Sequence, residues 1–365
     1  MASPHPIAGL QNIAPYIAGE SELTGFDRVI KLASNEGAFG PSKKTLEALS
    51  SSAHDFFRYP DGDCNELREL LAGKNNLPKD NIICGAGSDE LISLLCRSYA
   101  GAGDEVLYSA HGFAMYPIYG RTVRATVVAA PENDITVDVD QLLGRVTNKT
   151  KLLFIANPNN PTGTYIPKLE VQRLIDLLPK TVLLVLDAAY SEFVDRKDYS
   201  DGAEFVTTNE NVIMLKTFSK IYGMAGLRLG WMYAPDSVID IINRMRSPFN
   251  VAYSAIVAGI AATKDDKFLK LSQEHNKKWL KWTRNSIRTL GLEVPDSVCN
   301  FVLVRFPQDS GGKLTAGSAD NFLKTKGIIV RRMGGYGLPN ALRISIGTGE
   351  EMEITVNALK EFMSL

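Results

Sequence analysis

The sequence predicts an α/β protein in two parts, a large layered domain followed by a smaller α+β domain. Seven short apolar runs recur through the first 250 residues: Asn81–Cys84, Glu105–Tyr108, Thr126–Ala129, Leu152–Ala156, Val182–Leu186, Val212–Leu215 and Leu229–Tyr233. Several are apolar throughout, as strands covered on both faces are. Between two of them, Val171, Leu174, Ile175 and Leu178 keep the i, i+3, i+4, i+7 spacing of a helix with one buried side. Strands alternating with helices define a layered α/β domain, and the alternation stops after about Asn250.

Along the chain, residues 1–40 are rich in Pro, Gly and Asn without helical or strand period, and read as an arm packing with the small domain. The large domain is expected over 41–250. Ser42 caps its first helix, which runs to about Ala53, and Leu67, Leu70 and Leu71 give a second amphipathic face. The small domain is expected over 251–365. It opens with a long helical stretch to Leu290, ended by Gly291, followed by a strand at Asn300–Phe306. Ser318 is read as the cap of a helix ending at Gly327, Ile328–Arg332 and Leu342–Ile346 as strands, and Met352, Val356, Leu359 and Met363 as the buried face of a last helix. No internal repeat is present, and the loops around Asn160 and Gly311 are short connections.

Composition excludes several classes. Lys plus Arg (40) nearly balance Asp plus Glu (41), so no basic field exists to hold nucleic acid. The four cysteines, Cys64, Cys84, Cys96 and Cys299, have neither zinc-site nor disulfide-scaffold spacing, so no metal is expected and a reducing cytoplasm fits best. The N-terminus has no signal-peptide pattern, and apolar runs such as Thr181–Leu186 fall short of the roughly 18 residues of a membrane span.

Four segments carry residues suited to chemistry. Ile82–Glu90 is a strand, a Gly-Ala-Gly turn and a helix start, where backbone amides and a positive helix end meet an anion. It lacks the full dinucleotide fingerprint and any Gly-Lys-Ser/Thr, and a plain tight turn capped by Ser88 reads equally well. Asp187 emerges from a buried run, at the strand end where open α/β sheets bind ligands, or else simply starts a turn. Lys220 follows Thr217-Phe218-Ser219 and precedes a stretch of small residues ending in Arg228. Most lysines are solvated surface charges; here small neighbours admit a planar ligand, while Ser219 and Arg228 suit a dianion. Asn157–Gly163 reads NPNNPTG, a proline-restricted loop at the same edge.

In combination these segments resemble the fold-type I, pyridoxal-phosphate-dependent aminotransferases: NPNNPTG at Asn157–Gly163, DAAY at Asp187–Tyr190, and TFSK at Thr217–Lys220 followed by GLRLG at Gly226–Gly230. Lys31–Glu36, Arg58–Asp61, Gly85–Leu91 and Tyr336–Gly347 are similar to the histidinol-phosphate aminotransferase branch. Gly37-Ala38 and His111-Gly112 depart from the branch's usual Asn-Pro and Pro-Thr. The fold implied is a mostly parallel seven-stranded α/β/α domain plus a smaller α+β domain.

The resemblance also implies a site. Lys220 carries pyridoxal 5′-phosphate as a Schiff base and moves the proton as general acid/base; Asp187 pairs with the pyridine nitrogen; Tyr190 and Asn157 hydrogen-bond the ring oxygen; Phe113 lies against the ring. Gly87, Ser88, Thr217, Ser219 and Arg228 hold the phosphate, with Tyr59 reaching across from the second subunit of a homodimer. Arg343, with Asn35 close by, grips the substrate α-carboxylate, while Arg331 and Tyr16 meet the substrate phosphate, a role that neighbouring Arg332 suits equally. His111 is given a turn or supporting role, because Lys220 already transfers the proton. The implied reaction is ping-pong transamination between L-histidinol phosphate and 2-oxoglutarate in histidine biosynthesis. An aromatic amino acid or prephenate aminotransferase uses the same machinery. A pyridoxal-phosphate decarboxylase and a non-catalytic binding module are the readings of other classes.

Overall fold

The computed structural model describes residues 4–17, 19–307 and 313–365. The first residues of the arm and Gly311 of the second loop lie outside them. The large sheet contains β1 (Ile82–Gly85), β2 (Glu105–Ser109), β3 (Thr126–Ala130), β4 (Thr150–Ala156), β5 (Leu183–Asp187), β6 (Val212–Thr217) and β7 (Gly230–Tyr233). Their order is β1-β7-β6-β5-β4-β2-β3. All run parallel except β7, which is antiparallel to both β1 and β6.

Most of the apolar runs mark strands covered on both faces, whereas the edge strand β3 is partly exposed. Along β4, Leu153 and Ile155 enter one core with the helices Asn65–Asn75, Lys168–Leu177 and Tyr253–Thr263. Leu152 and Phe154 enter another, with the helices Ser88–Tyr99 and Asp236–Met245. Successive side chains of a strand point to opposite faces, so a doubly covered strand is apolar at every position.

A separate core gathers Ile287, Leu292, Val302, Leu342, Ile344, Met352 and Leu359 with Ile30 and Leu32 of the arm. The arm is held there by Ile30–Lys31, which pairs parallel with Ile328–Ile329. Three local expectations are corrected. The stretch to Leu290 is two helices, Tyr253–Thr263 and Asp266–Arg288, and the first sends Ala255, Ile256, Ala258 and Ala262 into the large core despite lying beyond Asn250. Thr315, not Ser318, caps the helix Ala316–Thr325; Ser318 completes a reciprocal capping box from its third position. Ile328–Arg332 is two short strands in different sheets, because Arg331–Arg332 turns to pair antiparallel with Ala341–Ser345. Among the described residues no helix is long and apolar enough to cross a membrane. All four cysteines are free and buried.

Candidate active site

The topology collects the motifs at one edge. β4, β5 and β6 end at Ala156, Asp187 and Thr217, and antiparallel β7 starts beside them, with Gly230 opposite both Thr217 and Gly85. Arg228, just before β7, thereby arrives next to the start of the helix Ser88–Tyr99. A cavity of about 160 Å³ opens there, lined by Ser88, Phe113, Asp187, Tyr190, Thr217, Ser219, Lys220 and Arg228.

Asp187 is buried, and its Oδ2 accepts from the Tyr116 hydroxyl at 2.8 Å while its Oδ1 accepts from the Ala189 amide at 3.2 Å. Burial pushes its carboxyl up to about 6, against the opposing pull of those two hydrogen bonds. Lys220 Nζ donates to the Ser34 carbonyl at 3.3 Å and lies 5.6 Å from the Tyr190 ring centre. Burial, then the Arg343 guanidinium, push its amine down to about 8. A lysine so placed gives up its proton far more readily than one on the surface.

The opposite end is built for an anion. Arg228 Nη1 lies 3.5 Å from Ser219 Oγ and 3.0 Å from the Ala225 carbonyl. Thr217 Oγ1 accepts from the Ser219 amide at 3.1 Å, which fixes that turn. Gly87 makes the approach of Arg228 possible: its φ is +82°, and a Cβ there would stand 2.7 Å from Arg228 Nη2. Asp89, a lining residue the motifs did not single out, accepts from Tyr119 at 2.6 Å.

Asn157 is not among the residues that line the cavity. Its side chain accepts from the Ile166 amide at 3.0 Å and donates to the Ile166 carbonyl at 3.2 Å, which braces the loop. Asn160, three residues on, lines the cavity, and its Oδ1 accepts from Arg343 Nη1, which leaves its Nδ2 for a ligand. Arg343 is buried, donates from Nη2 to the Ala33 carbonyl at 2.7 Å, and keeps Nε without a partner among the described residues. Asn35 sits beside this group. Its Nδ2 donates to the Tyr190 hydroxyl at 2.9 Å and its Oδ1 accepts from Ser345 at 3.1 Å. Burial pushes the Tyr190 phenol well up, with Arg343 opposing.

A second, more open cavity of about 510 Å³ adjoins, lined by Tyr16, His111, Arg121, Arg331 and Tyr336. Arg331 and Arg343 are direct partners on neighbouring antiparallel strands, so both project from the same face. Arg331 Nη2 donates to the Ile17 carbonyl at 2.6 Å, and its guanidinium lies 6.0 Å from the Tyr16 ring. Arg332 turns away and pairs with buried Asp320 at 3.3 Å. Tyr59 lies outside both cavities of its own chain, 83% exposed and stacked on Phe249 at 4.7 Å.

These side chains fit pyridoxal 5′-phosphate: a buried carboxylate for a ring N–H, a lysine with a depressed amine, and a helix N-terminus with an arginine for a dianion. The family model for aminotransferase class I and II matches residues 27–359. A histidinol-phosphate aminotransferase of Paramagnetospirillum magneticum is 55% identical over 363 residues, covering 100% of this chain and 99% of the relative. One from Rhodospirillum rubrum is 52% identical, covering 99% and 97%. Among solved structures, histidinol-phosphate aminotransferase from Sinorhizobium meliloti in complex with pyridoxal-5′-phosphate is similar at a TM-score of 0.87 and 29% identity, over 92% of each chain. With a family match across most of its length and full-length relatives above half identity, the chain belongs to the class I and II aminotransferases.

Proposed function

We propose that the chain interconverts L-histidinol phosphate plus 2-oxoglutarate with imidazole-acetol phosphate plus L-glutamate, a step of histidine biosynthesis, using pyridoxal 5′-phosphate held on Lys220. The full-length relatives carry that name. The observation that carries the substrate class is the side-by-side pair Arg331 and Arg343, two cations facing the end of the site where both substrates are anionic.

When bound, the cofactor supplies the electron sink for the bonding pair left as the donor's Cα loses its proton. Asp187 holds the ring nitrogen's proton, and the Tyr116 hydroxyl keeps the carboxylate aimed. An ionised Asp187 needs a positive partner in so buried a place, and the protonated ring nitrogen would be that partner. Once the donor's amine displaced it from the cofactor, Lys220 Nζ would be free to take the proton from the donor's Cα, a role matched to an amine of about 8. Tyr190, oriented by Asn35, and the free Nδ2 of Asn160 hydrogen-bond the ring oxygen. Ser88, Thr217, Ser219 and Arg228 bind the cofactor phosphate. Arg343 offers its unpartnered Nε to the α-carboxylate of glutamate. Arg331, with Tyr16, binds the donor's phosphate and glutamate's distal carboxylate.

Exposed Phe57, Tyr59 and Phe249 support a homodimer, in which Tyr59 completes the partner's phosphate site. A cytoplasmic location fits the free cysteines. The test is the visible absorption of purified protein. Histidinol phosphate alone should shift the cofactor band, and 2-oxoglutarate should restore it. A strong preference for phenylalanine would sink the donor assignment, and carbon dioxide release without an oxo acid would identify a decarboxylase.

A further inference from the structure

The second cavity contains a histidine that proton transfer at Lys220 does not use. His111 follows β2, and its amide donates to Glu132 Oε1 at 3.0 Å, which anchors the turn. Its Nδ1 lies 2.7 Å from the Tyr336 carbonyl oxygen. A carbonyl only accepts, so Nδ1 carries the hydrogen, and in the neutral ring Nε2 is then a lone-pair acceptor. Among the described residues Nε2 has no protein partner within hydrogen-bonding distance, and the ring lines the cavity together with Arg331, Arg121 and Tyr16. The guanidiniums only donate. The cavity therefore presents cations for an anionic group and a fixed nitrogen acceptor for something that donates.

We infer that His111 is a specificity-determining residue whose Nε2 accepts a hydrogen bond from the N–H of the donor's imidazole ring, selecting imidazole over phenyl on the same phosphate-bearing chain. The inference rests on the donor proposed above. Its physical basis is that an analogue lacking the N–H leaves a positioned polar group without its partner, a stronger basis for rejection than a change of apolar bulk.

Two substitutions separate the ring's two contacts. The amide of His111→Asn reaches the Nδ1 position and keeps the bond to the Tyr336 carbonyl; that of His111→Gln reaches the Nε2 position and restores an acceptor. Each is assayed with histidinol phosphate and with the phosphate ester of L-phenylalaninol, which retains amine and phosphate but replaces imidazole by phenyl. His111→Asn should lower kcat/KM for histidinol phosphate about three- to tenfold, the loss of one net hydrogen bond, through KM, with the phenyl donor and the glutamate half-reaction unchanged. His111→Gln should recover most of that loss. Equal losses for both donors would reduce His111 to a brace, and no loss for either would remove Nε2 from recognition; both outcomes overturn the inference. A wild-type enzyme that transaminates glutamate but turns over neither phosphate donor would instead overturn the donor assignment, and the inference with it.

Discussion

The two cavities are built differently. The one around Lys220 is formed by strand ends of a doubly covered sheet, and its central residues Asp187, Lys220 and Tyr190 sit where backbone geometry leaves little choice. The one around Arg331 is formed by the arm, the turn after β2 and the short strands of the small domain, and Tyr16 there is 49% exposed. The first is suited to chemistry that demands fixed distances, the second to choosing what enters. Substitutions in the first should therefore act on kcat, and in the second on KM.

The largest effect tests that division directly. Lys220→Ala should lower turnover by about 10⁴-fold or more while circular dichroism and melting stay near wild type, if the residue supplies the proton transfer as proposed. Asp187→Asn should lower kcat about 10²- to 10³-fold, the size expected for removing one preorganised electrostatic partner. It should have the opposite effect on the cofactor-free protein. The Asp187 carboxyl rises from 3.8 to about 6 on folding, so between those values the folded state binds more protons than the unfolded state, and stability falls as pH rises through the window. The asparagine escapes that loss, so cofactor-free Asp187→Asn should melt about 2–4 °C above wild type at pH 7 by calorimetry.

Arg343 links the two cavities, bonded to Asn160 of the first and paired across strands with Arg331 of the second, and Arg343→Ala should raise KM for glutamate about 10- to 100-fold, more than it lowers kcat. The two asparagines of the NPNNPTG loop sharpen the contrast between function and bracing. Asn160→Ala should cost about tenfold in kcat/KM, whereas Asn157→Ala should keep kcat/KM within about threefold and cost about 1–3 kcal/mol of stability through its Ile166 bonds, read by denaturant titration. The smallest effect separates neighbouring arginines in the outer cavity. Arg331→Ala should raise KM for histidinol phosphate about fivefold, while Arg332→Ala should change it less than about twofold, since Arg332 makes a partly exposed ion pair whose acid also meets Lys324.

What was legible in the sequence follows the same division. Strands buried on both faces are largely apolar, so the central strands stand out, and three of them place Asp187, Lys220 and the NPNNPTG loop at one edge. The choice within the loop was not legible: Asn157 and Asn160 are the same residue type, each before a proline, and only the path of the chain decides which faces Ile166 and which the cavity. Tyr116, the hydroxyl that steadies Asp187, reads as an ordinary core aromatic because its ring also stacks on Phe154 at 4.8 Å. The break at Lys264-Asp265 was hidden since both flanking segments are amphipathic or apolar helices without proline or glycine between them. His111 and Arg331 depend on contacts from remote segments, to Tyr336 and Ile17, which no local pattern records.

The most direct test of the central claim is to fix the bound cofactor by borohydride reduction and map the labelled peptide by mass spectrometry. The label should fall on Lys220. Nearby Lys216 should stay unlabelled, because it is buried in ion pairs with Asp201 at 2.8 Å and Glu192 at 3.4 Å. A label on Lys216 or any other lysine, with Lys220 unmodified, would contradict the assignment of this cavity as the site of chemistry.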